Sequence, residues 1–534
     1  MELNLTGIQD TASYEKAGVT LPSFDVAKMQ EDGKKNPRWL HLGPGNIFRA
    51  FPARVAHDLI ADGEHWPITA IVPMNPQELE LQLGGHDFMT LGVTLNPDGT
   101  RDMKVIAGMS EGLAWSRPDD YARLTEIVAD PNVTMLTMTI TEKGYVIHDS
   151  QGNLSEQVLE DIASDPREFH KNTMANVAGL LVHRFDAGGA PFNVMSFDNF
   201  SHNGDKLRSS ILEVMNGWLD AGKISADVID WVKDPSKVAF PITVIDKITP
   251  RPSEDIAKEL GELGFTDMEL QYLGRTPLAG FVNAEPTEYL IIEDVLVGEV
   301  PDFNKYGVNI TTREVCDDFE NMKVTTCLNP LHTALATAGV LLGFPTIDSE
   351  MRDPSLKALV EQLGWKEGLP VVVDPGIVKP ADFLKEVLEV RFPNRYLPDD
   401  PARIAMDTSQ KVGIRFGETI KKYIAAGKDL NDLKAIPLVF AIWMRYLLAV
   451  DDSGQPFDPS SDPLLEELQG HLAGIKLGEG GDVHAALEPI LSNPSIFGIN
   501  LYDTPLAERV EALFTQLVAG PGAVRTTLDK EMQA

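Results

Sequence analysis

Trp39-Leu40-His41-Leu42-Gly43-Pro44-Gly45-Asn46-Ile47-Phe48-Arg49 sets the architecture expected for the first half of the chain. An apolar strand candidate runs into a glycine loop. The stretch 48–61 then has apolar residues at helical spacing, and a second strand candidate, Ile68–Val72, follows it. Strand, glycine turn, helix and strand make the unit from which mostly parallel sheets are built. Gly43 permits a tight turn. Gly45 lets the backbone approach a pyrophosphate, whose charge the N–H groups of a helix start would stabilise. Phe48 stands where the dinucleotide fingerprint has its third glycine, so this loop alone reads equally well as a turn without a ligand. An acid closing the second strand would read the ribose hydroxyls, but Val72-Pro73-Met74-Asn75 offers none. NAD and NADP both stay open.

Outward from this unit, Asn96-Pro97-Asp98-Gly99 separates strand candidates at 88–95 and 103–106 and reads as a hairpin turn. Further buried strands are expected at 133–140 and 193–196. After about Asp317 the pattern shifts to amphipathic runs at 355–363, 381–388, 417–426 and 464–472. The expected fold is α/β, with a Rossmann-like dinucleotide-binding domain over 1–305 and a mainly helical substrate and catalytic domain over 306–534. Residues 451–463, rich in Asp, Ser and Pro, read as an exposed loop, and the chain from Gly520 reads as a short tail.

The chain has 46 basic and 80 acidic residues, a formal charge of −34. That field repels nucleic acid and anionic lipid, so neither is an expected partner. It also means that an anionic substrate needs local cations. Cys316 and Cys327 are the only cysteines and form no CxxC pattern, which favours a reducing cytoplasm over a disulfide framework or a thiolate metal site. Residues 1–16 lack the basic start and apolar core of a secretory signal. The run 435–444 is too short to span a bilayer and reads as a buried helix. No His, Asp and Glu spacing converges on a metal set.

The chemistry-bearing candidates lie in several places. Glu320-Asn321-Met322-Lys323 and Asn329-Pro330-Leu331-His332 put a proton acceptor, an amide donor and an imidazole within a few helical turns. The same residues have a plain structural reading: Asn329-Pro330 is a good helix start, His332 can bond a carbonyl and Lys323 can be a solvated charge. Asn199, within Asp198-Asn199-Phe200-Ser201-His202-Asn203-Gly204, lies just past a strand candidate, where such sheets place ligands, or it makes an Asx-turn. Asp246 and Lys247 end another strand run. Arg403 and Lys411 flank a small polar turn, or end a solvated helix.

Together these segments resemble the polyol-specific long-chain dehydrogenases, the mannitol dehydrogenase family, over roughly residues 39–411. The family's GxGxFxRA loop is similar to 43–50, with Ile47 in the phenylalanine place. Its TITExGY segment resembles 139–145, its DNxxxNG segment 198–204, and its VDRITP ending Ile245-Asp246-Lys247-Ile248-Thr249-Pro250. The resemblance implies an NAD(P) cofactor, NAD favoured, held by Gly43, Pro44, Gly45, Asn46, Ile47, Arg49 and Thr141. It implies Lys323 as general base, Asn199 and Asn329 as donors to the reacting oxygen, His332 orienting a substrate hydroxyl and Glu320 linking the base to solvent protons. Asp246, Arg403 and Lys411 would hold substrate polar groups. One departure stands out: an extra residue separates Lys323 from Asn329. In an uninterrupted α-helix that would swing Asn329 and His332 by roughly 100°, and a bulge or a break before Pro330 would compensate.

The function so implied is metal-independent hydride transfer between nicotinamide and a sugar acid, D-mannonate or D-fructuronate, with mannitol and fructose as the alternative pair. A reading of another class is a catalytically silent nucleotide- or sugar-binding protein. The pattern carries no signal for oligomeric state.

Overall fold

The structure, a computed structural model, describes residues 1–533, and the chain divides into two compact units, Met1–Cys316 and Asp317–Ala534. The division expected after residue 305 falls inside the short 3₁₀ turn Phe303–Tyr306. The strand that follows it, Val308–Thr311, pairs with Tyr289–Glu293 within the first unit.

The first unit is built on a six-stranded sheet in the order Met109–Ala114, Ile68–Val72, Trp39–Leu42, Met135–Met138, Phe192–Ser196, Val238–Ala239. Every neighbouring pair is parallel. Numbered along the chain this order is third, second, first, fourth, fifth, sixth, the doubly wound arrangement that binds dinucleotides at its switch point. Trp39–Leu42, Ile68–Val72 and Phe192–Ser196 are buried at every position, because helices cover both faces of the sheet. The Asn96–Gly99 turn does join antiparallel strands, Thr90–Leu95 and Arg101–Ile106, but they belong to a separate four-stranded sheet. A third sheet pairs Thr243–Asp246 with Tyr289–Glu293.

The helix expected over 48–61 is two helices, Asn46–Ala50 and Pro52–Ala61. Pro52 cannot continue the first, and Phe51 leaves helical geometry at φ −125° and ψ −72°.

The second unit is helical, with no strand among the described residues. Its centre is Ala435–Leu447, buried at every position, with Pro437 tolerated in the first turn. The buried Glu367 carboxylate accepts from the Lys434, Ala435 and Ile436 N–H groups at 2.7, 2.6 and 3.0 Å, satisfying the donors that the helix start leaves over. The short tail expected from Gly520 is instead a helix, Ala523–Gln533. Val524 and Leu528 are fully buried, Arg525 pairs with Asp353 at 2.9 Å, and Asp452 accepts from the Val524 N–H at 2.8 Å. Val524, Leu528 and Met532, one apolar residue every four, make a stripe too narrow to register as an amphipathic run. Four π-helical segments interrupt this unit: Lys323–Cys327, Gln362–Gly368, Val387–Arg391 and Gly413–Gly417.

Candidate active site

In the first unit the glycine loop leaves the carboxyl end of Trp39–Leu42, between Ile68–Val72 and Met135–Met138. Gly43 has φ +88°, and a Cβ there would collide with the Thr139 carbonyl. At Gly45 a Cβ would meet nothing within 4 Å, so this backbone faces open space. Gly45 caps Asn46–Ala50, whose first N–H groups lack intrahelical acceptors. Turn, clearance and donors fit a dinucleotide pyrophosphate, although a helix of 5 residues contributes little dipole.

Phe48 is fully buried and stacks on His41 with ring centroids 3.9 Å apart. It fills the space where a glycine would let helix and strand close up. Burial holds His41 down to about 3, so it is a neutral core residue bonded to Thr137 at 2.7 Å and Thr139 at 3.0 Å. Pro44 is buried beside the loop glycines, and Ile47 is partly exposed. Arg49 is fully buried and donates to the Ala279 carbonyl at 2.8 Å and to Asn46 Oδ1 at 2.9 Å, so it positions Asn46 and is itself shielded from solvent.

Two further loops leave the same ends of the sheet. Asp198 accepts from the Ile140 and Thr141 N–H groups, both at 2.9 Å, and from the Tyr145 hydroxyl at 2.6 Å. It thereby ties the segment after the fourth strand to the one after the fifth. Asn203 is buried and bridges the Asp198 carbonyl at 2.9 Å and the Thr243 N–H at 2.9 Å, while Gly204 lies where a Cβ would strike the Pro241 carbonyl. These structural duties of Asp198, Asn203 and Gly204 were not separable in sequence from any duty of Asn199, which is exposed. Thr141 is exposed at φ +63°, costly for a β-branched residue and the kind of strain that collects at ligand sites. Asp246 ends Thr243–Asp246 and is 6% exposed.

In the second unit Glu320 and Lys323 stand one helical turn apart. Lys323 is 3% exposed and opens the π turn Lys323–Cys327. Leu328 N–H bonds the Lys323 carbonyl at 3.1 Å, five residues back instead of four. Such a turn holds one more residue than an α turn, so the inserted residue is taken up inside it. Leu328 then breaks the helix at φ −130°, and Asn329–Leu342 starts anew with Pro330 in its first turn. Both compensations expected from the spacing occur. Side chains hold the widened turn: Thr325 Oγ1 donates to the Asn321 carbonyl at 2.8 Å, Thr419 Oγ1 donates to the Thr325 carbonyl at 3.2 Å, and Lys422 donates to Asn321 Oδ1 at 2.7 Å. Cys327 lies in the same turn, its buried thiol pushed up to about 12.

Asn329 is partly exposed at the start of the new helix. One turn on, His332 Nε2 meets Asp399 at 3.2 Å, and its ring packs on Phe392 at 5.1 Å. Burial lowers the His332 pKa against the pull of Asp399. Burial opposes the charge of Asp399 too, but His332 and Arg403 outweigh it and keep Asp399 below the usual carboxylate range. Arg403 bonds Asp399 from Nε at 3.2 Å. Lys411 donates to the Met406 carbonyl, and burial followed by the Arg415 charge lowers its pKa. Asp399 and Arg415 escaped the sequence reading, and only the folded chain puts them with His332. The glycines flanking Arg415 were the one available signal. Behind this group sits Glu350, fully buried, with neither carboxyl oxygen hydrogen-bonded among the described residues. Burial, then the charges of Asp348 and Asp399, push it up to about 9. Its carboxyl lies where a Cβ on Gly339 would be.

Residues 37–300 match the mannitol dehydrogenase Rossmann domain and residues 316–518 the mannitol dehydrogenase C-terminal domain. A D-mannonate oxidoreductase of Thermotoga maritima is 45% identical, with 99% of each chain covered. A D-mannonate oxidoreductase of Escherichia coli is 28% identical over 84% of this chain and 87% of its own. Among solved structures, a Pseudomonas fluorescens mannitol 2-dehydrogenase with NAD and D-mannitol is 27% identical, covers 100% of both chains and has a TM-score of 0.71. The chain therefore belongs to the mannitol dehydrogenase family and is a nicotinamide-dependent dehydrogenase or reductase.

Proposed function

We propose that the chain interconverts D-mannonate and D-fructuronate with NAD and NADH, using Lys323 as the proton-transfer group. The observation that carries this reading is the set of cations gathered near His332 in a chain of net charge −34, together with full-length similarity to a D-mannonate oxidoreductase. A polyol needs no such countercharge. A sugar acid does.

When bound, the nicotinamide supplies or accepts the hydride. In the reduction direction the substrate carbonyl carbon gains that hydride, and its oxygen takes a proton from Lys323. In oxidation Lys323 receives the hydroxyl proton, and Glu320 passes it toward solvent. Asn199 and Asn329 donate to the oxygen as charge develops on it, help of roughly 3–4 kcal/mol per well-placed donor. His332 orients a neighbouring hydroxyl, and Asp246, Arg403 and Lys411 hold the remaining polar groups. Gly43, Pro44, Gly45, Asn46, Ile47 and Thr141 cradle the cofactor, with Arg49 fixing Asn46. NAD is favoured over NADP because Arg117, which bonds the Pro76 carbonyl beyond the second strand, is already paired with Glu80 at 3.2 Å and near Asp120 at 3.9 Å. Two buried free thiols suit a reducing cytoplasm.

Mannitol and fructose remain the second reading, favoured by similarity to the mannitol 2-dehydrogenase structure. NADH consumption with D-fructuronate and with D-fructose separates the two. The proposal expects fructuronate to be turned over at least tenfold more efficiently, and preference for fructose overturns it.

A further inference from the structure

The π turn that carries Lys323 packs against a second one, Gly413–Gly417, with Arg415 at its centre. That second turn is fixed in register. A Cβ on Gly413 would crowd the Ile496 carbonyl and one on Gly417 would strike the Phe497 carbonyl, so both glycines let the chain lie directly on its neighbour. The Arg415 guanidinium donates to Thr333 Oγ1, and Thr333 Oγ1 donates to the Asn329 carbonyl at 3.0 Å. Arg415 is thus linked to the backbone of Asn329 through two hydrogen bonds that meet at Thr333, the residue after His332.

Arg415 is partly buried, with the Thr333 hydroxyl as its hydrogen-bond acceptor. Burial lowers its pKa to about 10, which leaves it cationic near neutrality, and its charge bears on both His332 and Lys411. Among the described residues no carboxylate forms an ion pair with Arg415 or with Lys411, whereas Arg403 is paired with Asp399. A guanidinium has five donors in a planar fork, and one threonine hydroxyl uses one of them. Asp407 and Asp462 offset the Lys411 charge without forming an ion pair with it, and among the described residues no acid bears on Arg415, so a half-buried guanidinium without a carboxylate, close to His332, marks the place of an anionic ligand.

We propose that Arg415 takes the substrate carboxylate through its planar fork, with Lys411 as a second cation, and that this residue makes the site select sugar acids over uncharged polyols. The inference rests on the sugar-acid reading above and assigns its specificity to a particular side chain.

The test uses the full chain saturated with NAD and measures dissociation constants for D-mannonate and for D-mannitol. In Arg415→Gln the preference for mannonate should fall on the order of a hundredfold, and in Arg415→Lys, which keeps the charge without the fork, about tenfold. A structural tie between the two π turns would weaken both ligands together and leave the ratio unchanged, and that result in a folded variant overturns the inference. If Arg415→Gln fails to fold, Arg415→Lys decides by the same ratio. Wild-type chain that binds mannitol more tightly, or binds neither, refutes the sugar-acid reading itself and this assignment with it.

Discussion

Replacing Glu350 with glutamine should reshape the pH dependence of stability. In the folded chain this carboxyl is fully buried, lacks a hydrogen-bond partner among the described residues, and has its pKa pushed from the usual 4.5 to about 9. Below the unfolded value both states hold the proton. As pH rises past it the unfolded chain ionises while the folded chain does not, so stability falls by about 1.4 kcal/mol per pH unit until the folded value is reached. The accumulated loss is of order 3 kcal/mol at pH 7. Glutamine carries no titrating proton, and its own buried N–H groups add an offset that does not change with pH. Denaturant melts of both proteins from pH 4.5 to 9 should therefore give a stability difference that moves steadily in favour of Glu350→Gln. Parallel curves would show that Glu350 titrates alike in both states, and the account of its burial would fail.

Two other perturbations address the site. Thr419→Val removes the hydroxyl that satisfies the Thr325 carbonyl in the widened turn, a cost of about 1 kcal/mol. It should lower kcat while NADH affinity stays put, with Thr419→Ser restoring the rate; unchanged kcat in the valine variant would show that the bond does not position Lys323. Asp399→Asn removes the group that raises the His332 pKa against burial, so the imidazole titration followed by NMR should move further down. An upward movement would contradict the pairing.

Much of the first unit was legible because its signals are local. Trp39–Leu42 and Ile68–Val72 show as apolar runs, and a glycine pair marks the turn between the first strand and its helix. The break at Phe51 was legible in principle from Pro52, yet apolar spacing ran across it and masked it. The helix Ala523–Gln533 was missed because its apolar stripe is narrow and its anchors, Asp353 and Asp452, lie far away in sequence. At the site, one-dimensional spacing exposed the extra residue between Lys323 and Asn329 and named the ways it could be absorbed. It could not choose the π turn, since Thr419 and Lys422, which hold that turn, lie some ninety residues on. Asp399 was invisible for the same reason, since nothing near it in the chain distinguishes a surface charge from one folded against His332, and Arg415 had only its flanking glycines Gly413 and Gly417 to mark it.

The most direct measurement is single-turnover NADH oxidation by D-fructuronate in wild-type chain and in Lys323→Ala, with NADH binding titrated in both. Loss of the proton donor should slow hydride transfer by about 10²–10⁴-fold while NADH binds as in the wild type. A Lys323→Ala chain that folds, binds NADH and transfers hydride at the wild-type rate would contradict the assignment of Lys323.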